Sequence, residues 1–347
     1  MPKLSLIIHT ASVDAFLTAQ GIPSYFVALC DNLAVQTFQD FELVYVDTYY
    51  EQNRERFERQ GPAFLKHIKH VPVHPNHRYW YDLGHCYISA AKNTGILYAD
   101  GELCVSCDDA EFFPIKFLER YWWHYAHGQY MHALHRRLKT VVTKDGFGQF
   151  PIQGDEYVND SRWGKVANGT HVHHNGNWCY AGTSFSLADA LNINGYNERM
   201  DGCKSLEDCD FGSRLGTLGR SFALDPEGYA HIVDHGSYAT DANCGWEPGE
   251  GQEGGPPPIV QKQITNFIAV ENHGLYRCAR ELLDPVANKN PLTAAHWKII
   301  QADTIHYRKF DPLAPEHAAN LAIWKGTPTF NLADERAALR RSPDWKW

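Results

Sequence analysis

Short apolar segments alternate with amphipathic stretches over the first 125 residues, and this alternation constrains the fold more than any other feature. Such an alternation is typical of βαβ units, in which neighbouring strands run parallel and helices cover both faces of the sheet. The predicted strands are 4–8, 41–46, 67–73 and 103–107. The predicted helices are 23–36, 51–60, 88–98 and 114–125. We therefore expect an α/β fold with a mostly parallel sheet flanked by helices.

Composition excludes several classes of protein. Lysine and arginine number 32 against 41 aspartates and glutamates, and a net charge of −9 disfavours nucleic acid as the main partner. No apolar run approaches the roughly 18 residues needed to cross a bilayer, and the first residues do not have the pattern of a secretory signal. Nine scattered cysteines favour buried thiols in a reducing compartment. These features predict a cytoplasmic protein without a transmembrane segment.

A segment rich in glycine and proline divides the chain. Residues 241–264 include a G-G-P-P-P run, which predicts a mobile loop or linker. We expect residues 1–240 to form the α/β domain, with loops or a β-ribbon insertion at about 139–177. Residues 265–347 contain helical stretches and predict a largely helical C-terminal extension.

Carboxylates follow two of the predicted strands. Asp47 ends the second strand, and Asp108, Asp109 and Glu111 follow the fourth. Ligands of open parallel sheets bind beyond the carboxyl ends of the strands, so these side chains are candidates for a binding site. Adjacent carboxylates repel one another, and a divalent cation such as Mg²⁺ relieves that repulsion together with substrate phosphates. The alternative interpretation is a solvated acidic turn.

A second acidic cluster begins a predicted helix at 207–218. Glu207, Asp208 and Asp210 lie in its first turn. Acidic residues at this position also stabilise a helix by complementing its dipole. That structural role is the alternative to a catalytic one.

Four stretches together make the sequence resemble the glycosyltransferases of the GT-A fold, especially the large family 2. The first comprises L-S-L-I-I-H-T at 4–10 and Q-T-F-Q-D-F-E-L-V-Y-V-D at 36–47. The others are A-K-N-T-G-I at 91–96, C-D-D-A-E at 107–111, and N-G-Y-N-E followed by E-D-C-D-F-G-S-R within 194–214. They occur in the order typical of the family, over about residues 3–220. The resemblance implies a GT-A, Rossmann-like domain over residues 1–240.

The resemblance also implies a donor-binding site for a nucleotide-sugar. Asp47 would hydrogen-bond the nucleotide base, and Asp108 would lie near the ribose. The remaining donor-binding candidates are Thr10, Lys92 and Asn93. Lys92 stands where arginine is common in the family, which keeps the charge but removes the bidentate fork.

Metal and catalytic residues follow from the same resemblance. Asp109 would bind Mn²⁺ or Mg²⁺ between the donor phosphates, with Glu111 as the fallback because Ala110 stands where the family's second acid is common. A late histidine completes the metal shell in some GT-A enzymes, so His231 or His235 is a candidate ligand or, alternatively, a loop residue. Asp208 would be the general base, with Glu207 supporting it or the acceptor.

These roles describe a metal-dependent inverting glycosyltransferase, hexosyltransferase-like, that uses a nucleotide-diphosphate donor, with a UDP-sugar expected. The acceptor would be a glycan or another molecule with a hydroxyl group. One alternative is a nucleotidyltransferase, although the segment after the first strand contains no glycine-rich phosphate loop. The other is a non-catalytic relative that binds carbohydrate or nucleotide-sugar.

Overall fold

The fold is a ten-stranded mixed sheet with helices on both faces. The computed structural model describes residues 2–10, 25–51, 53–54, 68–83, 87–109, 111–138, 156–158, 160–174, 179, 181–198, 201, 207–233, 326–343 and 345–346. The predicted α/β class is confirmed, since the longest strands pair in parallel.

The first half of the sheet is parallel and was predicted well. Its strands are β1 (Leu4–Thr10), β2 (Phe41–Asp47), β3 (Ile68–Pro72) and β4 (Leu103–Asp108). They lie in the order β3-β2-β1-β4, with helices covering both faces. Every residue of β2 is buried, which explains why its sequence is a nearly continuous apolar run.

The second half of the sheet continues from β4 and is mixed. Its strands are β5 (Glu111–Phe112), β6 (Gln129–Leu138), β7 (Glu156–Tyr157), β8 (His171–His173), β9 (Thr183–Ser186) and β10 (Ser221–Val233). The order is β4-β9-β6-β10-β5, with β6 and β10 parallel and β9 antiparallel to both of its neighbours. The sequence predicted neither β6 nor β9. Part of the expected insertion at 139–177 contributes the short strands β7 and β8.

Seven α-helices with complete bounds lie in the described part of the chain; residues 50–51 and 53–54 are helical as well, and the rest of the helix predicted at 51–60 lies outside the described residues. The seven are α1 (Tyr25–Ala34), α2 (Tyr79–Asp82), α3 (Ile88–Tyr98), α4 (Phe117–Ala126), α5 (Leu187–Asn192), α6 (Glu207–Thr217) and α7 (Leu332–Arg341). Two 3₁₀ turns, Pro75–His77 and Ser161–Val166, complete the set. Helix α3 has the predicted bounds, whereas α4 begins three residues later than predicted because 114–116 form the turn that leads into it.

Helix α3 packs closely on β1, and a glycine makes this possible. A Cβ atom added to Gly95 would lie 2.2 Å from Ile7 Cγ2. The small residue therefore lets the helix backbone approach the sheet, which fixes the position of the residues at its N-terminal end.

The C-terminal part of the chain returns to the α/β domain. Arg336 on α7 donates to the carbonyl of Leu97 at the end of α3, and both Arg336 and Arg340 pair with Asp100. The predicted linker at 241–264 lies outside the described residues, and the domain boundaries stay predictions. Within the described residues, no helix combines the length and the apolar character needed to cross a membrane.

Candidate active site

The carboxyl ends of three parallel strands meet at one edge of the sheet. Thr10 on β1 is in register with Asp47 on β2, and His9 is in register with Asp108 on β4. Thr10 Oγ1 also donates a hydrogen bond to Asp109 Oδ2 at 2.9 Å. The donor-binding candidates at 10, 47 and 108 and the metal candidate Asp109 are therefore neighbours, as the sequence predicted.

Asp47 is completely buried and holds the loop that follows β2. It accepts hydrogen bonds from Tyr49 N at 2.8 Å and from Asn53 Nδ2 at 3.0 Å. His70 Nε2 on β3 lies 2.9 Å from Asp47 Oδ2. These partners hold Tyr49 and Asn53 beside the end of β2, so Asp47 shapes the crevice, and its contact with a nucleotide base stays a prediction.

Lys92 links the strand edge to the acidic helix. It is buried on α3, and its ammonium group lies 5.2 Å from the centroid of the Tyr196 ring. Burial alone would lower the pKa of Lys92, but Tyr196 and the carboxylates of Asp108, Glu207 and Asp208 raise it well above its usual range. The charge of Lys92 is therefore favoured by acids from two elements, Asp108 at the end of β4 and Glu207 and Asp208 at the start of α6.

The three acidic residues at the start of α6 have two different roles. Glu207 and Asp208 act on Lys92, as described above. Asp210 is buried and accepts hydrogen bonds from Arg214 Nε at 3.1 Å and Nη2 at 2.8 Å. Arg214 in turn donates to the carbonyls of the preceding turn, Ile193 and Gly195. Complementing the helix dipole therefore does not account for the whole cluster.

Asn93 binds the protein's own backbone. Its Nδ2 donates to Tyr196 O at 2.9 Å and to Glu198 Oε1 at 2.7 Å, and its Oδ1 accepts from Tyr196 N at 2.7 Å. Asp201 accepts from the backbone N–H groups of Ser89 and Ala90 at the start of α3. In this structure Asn93 and Asp201 fix α3 and the 194–198 turn relative to each other, and so position Lys92 and Tyr196.

Glu111 lies beneath the edge, in the core. It is completely buried, its Oε1 lies 3.3 Å from His135 Nε2, and its Oε2 accepts from Asp108 N at 3.3 Å. Burial raises the pKa of Glu111, and His135 opposes that shift only in part. These contacts give Glu111 a structural position below Asp108 and make Asp109 the more accessible acid.

His231 is not a loop residue. It lies inside β10, in register with Phe112, and its ring packs edge-on against Tyr229 at 5.1 Å between centroids. The alternative interpretation of His231 as a loop residue is therefore wrong, because β10 extends to Val233, and its role as a metal ligand stays a prediction. His235 lies outside the described residues.

The carboxylates of Asp108 and Asp109 at the sheet edge suit a hard divalent cation. Asp108 and Asp109 supply carboxylate oxygens and are partly exposed, and carboxylate oxygens are the ligands that Mg²⁺ and Mn²⁺ prefer. Among the described residues, no third His, Cys, Asp or Glu brings a ligand atom within 4.8 Å of both. Phosphate oxygens of a donor are the usual complement of such a two-carboxylate site.

The sequence analysis did not single out His70, and it quoted Tyr196 and Arg214 within a motif without giving them a role. Tyr196 stacks on Phe211 of α6 at 3.9 Å between ring centroids and carries the Lys92 contact on the same ring. A tyrosine or arginine inside a motif gives a sequence signal only when its partner is known. Arg214 binds Ile193 and Gly195, which lie 21 and 19 positions away. Tyr196 binds Asn93, which lies 103 positions away.

The chain is similar to several solved structures. No family model and no curated protein matches it. Residues 1–349 of S. aureus TarS are 14% identical, with a TM-score of 0.49, over 86% of this chain and 69% of that one. The complex of the same TarS fragment with UDP-GlcNAc is 14% identical, with a TM-score of 0.49, over 93% of this chain and 78% of that one. The complex of the TarS fragment with UDP is 16% identical, with a TM-score of 0.45, over 67% of this chain and 60% of that one.

Proposed function

We propose that the protein is a glycosyltransferase that moves a sugar from a nucleotide-diphosphate donor, expected to be a UDP-sugar, to a hydroxyl group of an acceptor. One observation carries the proposal. The acid at the end of β4, Asp108, and the two acids at the start of α6, Glu207 and Asp208, all interact electrostatically with the buried Lys92, which lies against the Tyr196 ring. Clustered titratable groups with opposing charges at the carboxyl edge of a parallel sheet mark a functional site.

In the proposed reaction Asp208 accepts the proton of the acceptor hydroxyl. The oxygen then attacks the anomeric carbon from the face opposite the leaving diphosphate, which inverts the anomeric configuration. Glu207 precedes this base on α6, and the buried cation Lys92 interacts with both acids. Asp208 is partly exposed and therefore accessible to an acceptor.

On the donor side, Asp108 and Asp109 would hold Mn²⁺ or Mg²⁺. The cation supplies charge neutralisation for the leaving diphosphate. Thr10 orients Asp109 through the 2.9 Å hydrogen bond, and Asp47 orders the loop beside the base. Metal dependence is part of the proposal and follows from the chemistry of these two carboxylates.

Calorimetry with UDP and UDP-GlcNAc, the ligands of the TarS complexes, tests the proposal. We expect UDP to bind with excess Mn²⁺ and to bind much more weakly with EDTA. Asp109→Asn should weaken the metal-dependent binding, whereas the isosteric control Glu111→Gln should change it by no more than a few fold. Equal affinity in Mn²⁺ and in EDTA would contradict the metal role, and the reverse order of the two variants would move it to Glu111.

Product analysis separates the remaining alternatives. Slow release of UDP from a UDP-sugar in the absence of acceptor is the expected side reaction of a glycosyltransferase. Release of pyrophosphate from a nucleoside triphosphate would support a nucleotidyltransferase instead. Tight UDP-sugar binding with no turnover under any acceptor condition would support a non-catalytic binding protein.

A cytoplasmic location is part of the proposal too. Cys30, Cys104, Cys107 and Cys179 are buried free thiols. Burial raises the pKa of each of these thiols, and the un-ionised thiol is inert towards oxidation. Such thiols are compatible with a reducing compartment.

A further inference from the structure

A group of potential metal ligands lies away from the strand edge, where α7 meets the α/β domain. His74 caps the 3₁₀ turn Pro75–His77, His77 ends it, and Glu335 belongs to α7. One ligand atom from each of the three side chains lies within 4.8 Å of the other two. Within the described residues, this is the one group of three or more His, Cys, Asp or Glu side chains with that property.

The central atoms of this group are buried and close together. His77 Nε2 and Glu335 Oε2 lie 3.0 Å apart, within ion-pair distance. Two ligands of one Zn²⁺ ion, each at about 2.0–2.2 Å from the metal, are separated by a little over 3 Å. The separation therefore suits shared coordination.

The other polar atoms of His77 and Glu335 have hydrogen-bond partners of the kind that surround the ligands of a metal site. His77 Nδ1 pairs with Glu198 Oε1, and Asn93 Nδ2 fixes that same carboxylate oxygen at 2.7 Å. Asn76 Nδ2 donates to Glu335 Oε1 at 2.7 Å, which leaves Oε2 directed at His77. Metal-bound histidines commonly donate their second ring N–H to a carboxylate in this way.

We propose that His74, His77 and Glu335 bind a Zn²⁺ ion that fastens α7 to the α/β domain. Two imidazoles and one carboxylate are an established zinc ligand set, with water in the fourth position. His74 is half-buried, so the site has access to solvent on that side. The site is chemically distinct from Asp108 and Asp109, whose oxygen donors favour Mn²⁺ or Mg²⁺.

The proposed ion would connect two parts of the chain with consequences for the candidate active site. Glu335 belongs to the C-terminal helix, and Glu198 belongs to the turn that Asn93 holds against α3. Because Lys92 precedes Asn93 on α3, the ion would stabilise the framework that positions Lys92. This inference does not depend on the proposed transfer reaction.

Cobalt substitution tests the proposal on the full chain. Protein stripped with chelator is supplied with excess Mg²⁺ to occupy oxygen-donor sites, then titrated with Co²⁺ and, separately, with Zn²⁺. We expect the visible absorption of four-coordinate Co²⁺, its loss on addition of Zn²⁺, and a rise in melting temperature with Zn²⁺, since binding to the folded state stabilises it by mass action. A wild-type protein with no absorption band and no thermal shift would overturn the proposal and leave His77 as an ion-paired residue.

Variants locate the site. Glu335→Gln and His74→Ala should each weaken Zn²⁺ and Co²⁺ binding by at least the roughly 10–100-fold that loss of an outer partner costs. Asp334→Asn, an exposed neighbour on the same helix, and His127→Ala, an exposed histidine after α4, should bind as the wild type does. Glu335→Gln preserves shape, so it carries the test if His74→Ala is unstable. Wild-type binding by Glu335→Gln would assign the metal to another part of the chain and overturn the proposal.

Discussion

The cluster around Lys92 and the cluster around Asp225 have opposite charge balances. Lys92 is one buried cation that faces three carboxylates, Asp108, Glu207 and Asp208. Asp225 on β10 is one buried carboxylate that faces Arg120 Nε at 2.6 Å and His124 Nε2 at 2.9 Å, both from α4. The first cluster includes two partly exposed acids, Asp108 and Asp208, whereas the carboxylate of the second is compensated by two basic partners.

This difference separates a binding site from a structural bridge. A buried carboxylate with enough partners costs little, so the Asp225 cluster is complete without a ligand. The Lys92 cluster differs in exposure, since Asp108 and Asp208 are partly exposed and therefore accessible to a cation or a substrate hydroxyl. We therefore expect changes at the Lys92 cluster to alter ligand binding and turnover, and changes at the Asp225 cluster to alter stability alone.

The largest effect should come from Asp208→Asn. The change keeps the shape of the side chain and removes the proton acceptor, so turnover should fall by about 10²–10⁴-fold. The UDP Kd should stay within a few fold, because Asp208 acts on the acceptor side. Release of UDP from the donor, calorimetry with UDP and the melting temperature measure the three quantities.

Asp210→Asn is the control for that variant. Asp210 lies two residues further along α6 and pairs with Arg214. The control should lose stability with little change in the chemical step. Near wild-type turnover by Asp208→Asn would remove it as the base and leave the inverting mechanism without support.

The second effect is the stability loss expected for Lys92→Met. Removing one partner of a buried ionic cluster typically costs about 3–5 kcal/mol, because the remaining charges are left uncompensated. Mn²⁺ or Mg²⁺ should restore more stability to the variant than it adds to the wild type, since a divalent cation replaces the lost positive charge. Urea unfolding with and without the cation gives both free energies of unfolding.

Lys69→Met is a matched control for Lys92→Met. Lys69 is also buried, and it pairs with Glu42 at 2.9 Å and Asp100 at 2.7 Å, away from the strand ends. Its loss should cost comparable stability without rescue by Mn²⁺. Equal rescue of both variants would indicate a general effect of the cation and break the distinction between the clusters.

The sequence predicted the parallel half of the sheet and missed most of the mixed half. Strands β1, β2 and β4 are buried on both faces, so their apolar runs are continuous and recognisable. Strand β6 contains His132, His135, Arg136 and Arg137 within ten residues, and such a run has neither alternation nor apolar continuity. Its polar side chains are satisfied by tertiary partners, for example Glu111 at His135, which local sequence does not reveal.

The candidate site could be predicted only as separate motifs. The resemblance to the family nominated Lys92, Asp108 and Asp208, but the sequence alone does not bring a helix residue at 92 to carboxylates more than 100 positions away. Asn93 was nominated for the donor, whereas the structure engages it with Tyr196 and Glu198. The group formed by His74, His77 and Glu335 spans 261 positions, so no spacing rule could have found it.

The third effect in order of size is expected at Asp47, which shares features with both the Lys92 cluster and the Asp225 cluster. It has the partners of a structural acid but lies at the strand edge. Asp47→Asn should weaken UDP binding by about 1.5–3 kcal/mol, the usual value of a hydrogen bond to a charged group, without removing the response to Mn²⁺. Calorimetry measures the Kd, with the exposed Asp82→Asn as control. An unchanged UDP Kd in a folded Asp47→Asn variant would mean that Asp47, like Asp225, affects stability alone.

The smallest effect, on stability alone, should come from Asp225→Asn. The change weakens the contacts with Arg120 and His124 and should cost about 1–3 kcal/mol, while the UDP Kd stays within a few fold. Burial raises the pKa of Asp225, but His124, the Glu227 N–H and Arg120 outweigh it and hold the pKa below its usual range.

The difference in unfolding free energy between wild type and Asp225→Asn should depend on pH if the charge of Asp225 causes it. A carboxylate with a depressed pKa stabilises the fold above its unfolded pKa of about 3.9, and that stabilisation is lost as pH falls through the lower folded pKa. The gap in unfolding free energy between wild type and Asp225→Asn should therefore be full at neutral pH and narrow below about pH 4. Urea unfolding along a pH series measures it. A gap that persists in acid would indicate that shape rather than charge holds α4 on β10. A change in UDP affinity at neutral pH would show that the compensated cluster is coupled to the site, and the separation of the two clusters would fail.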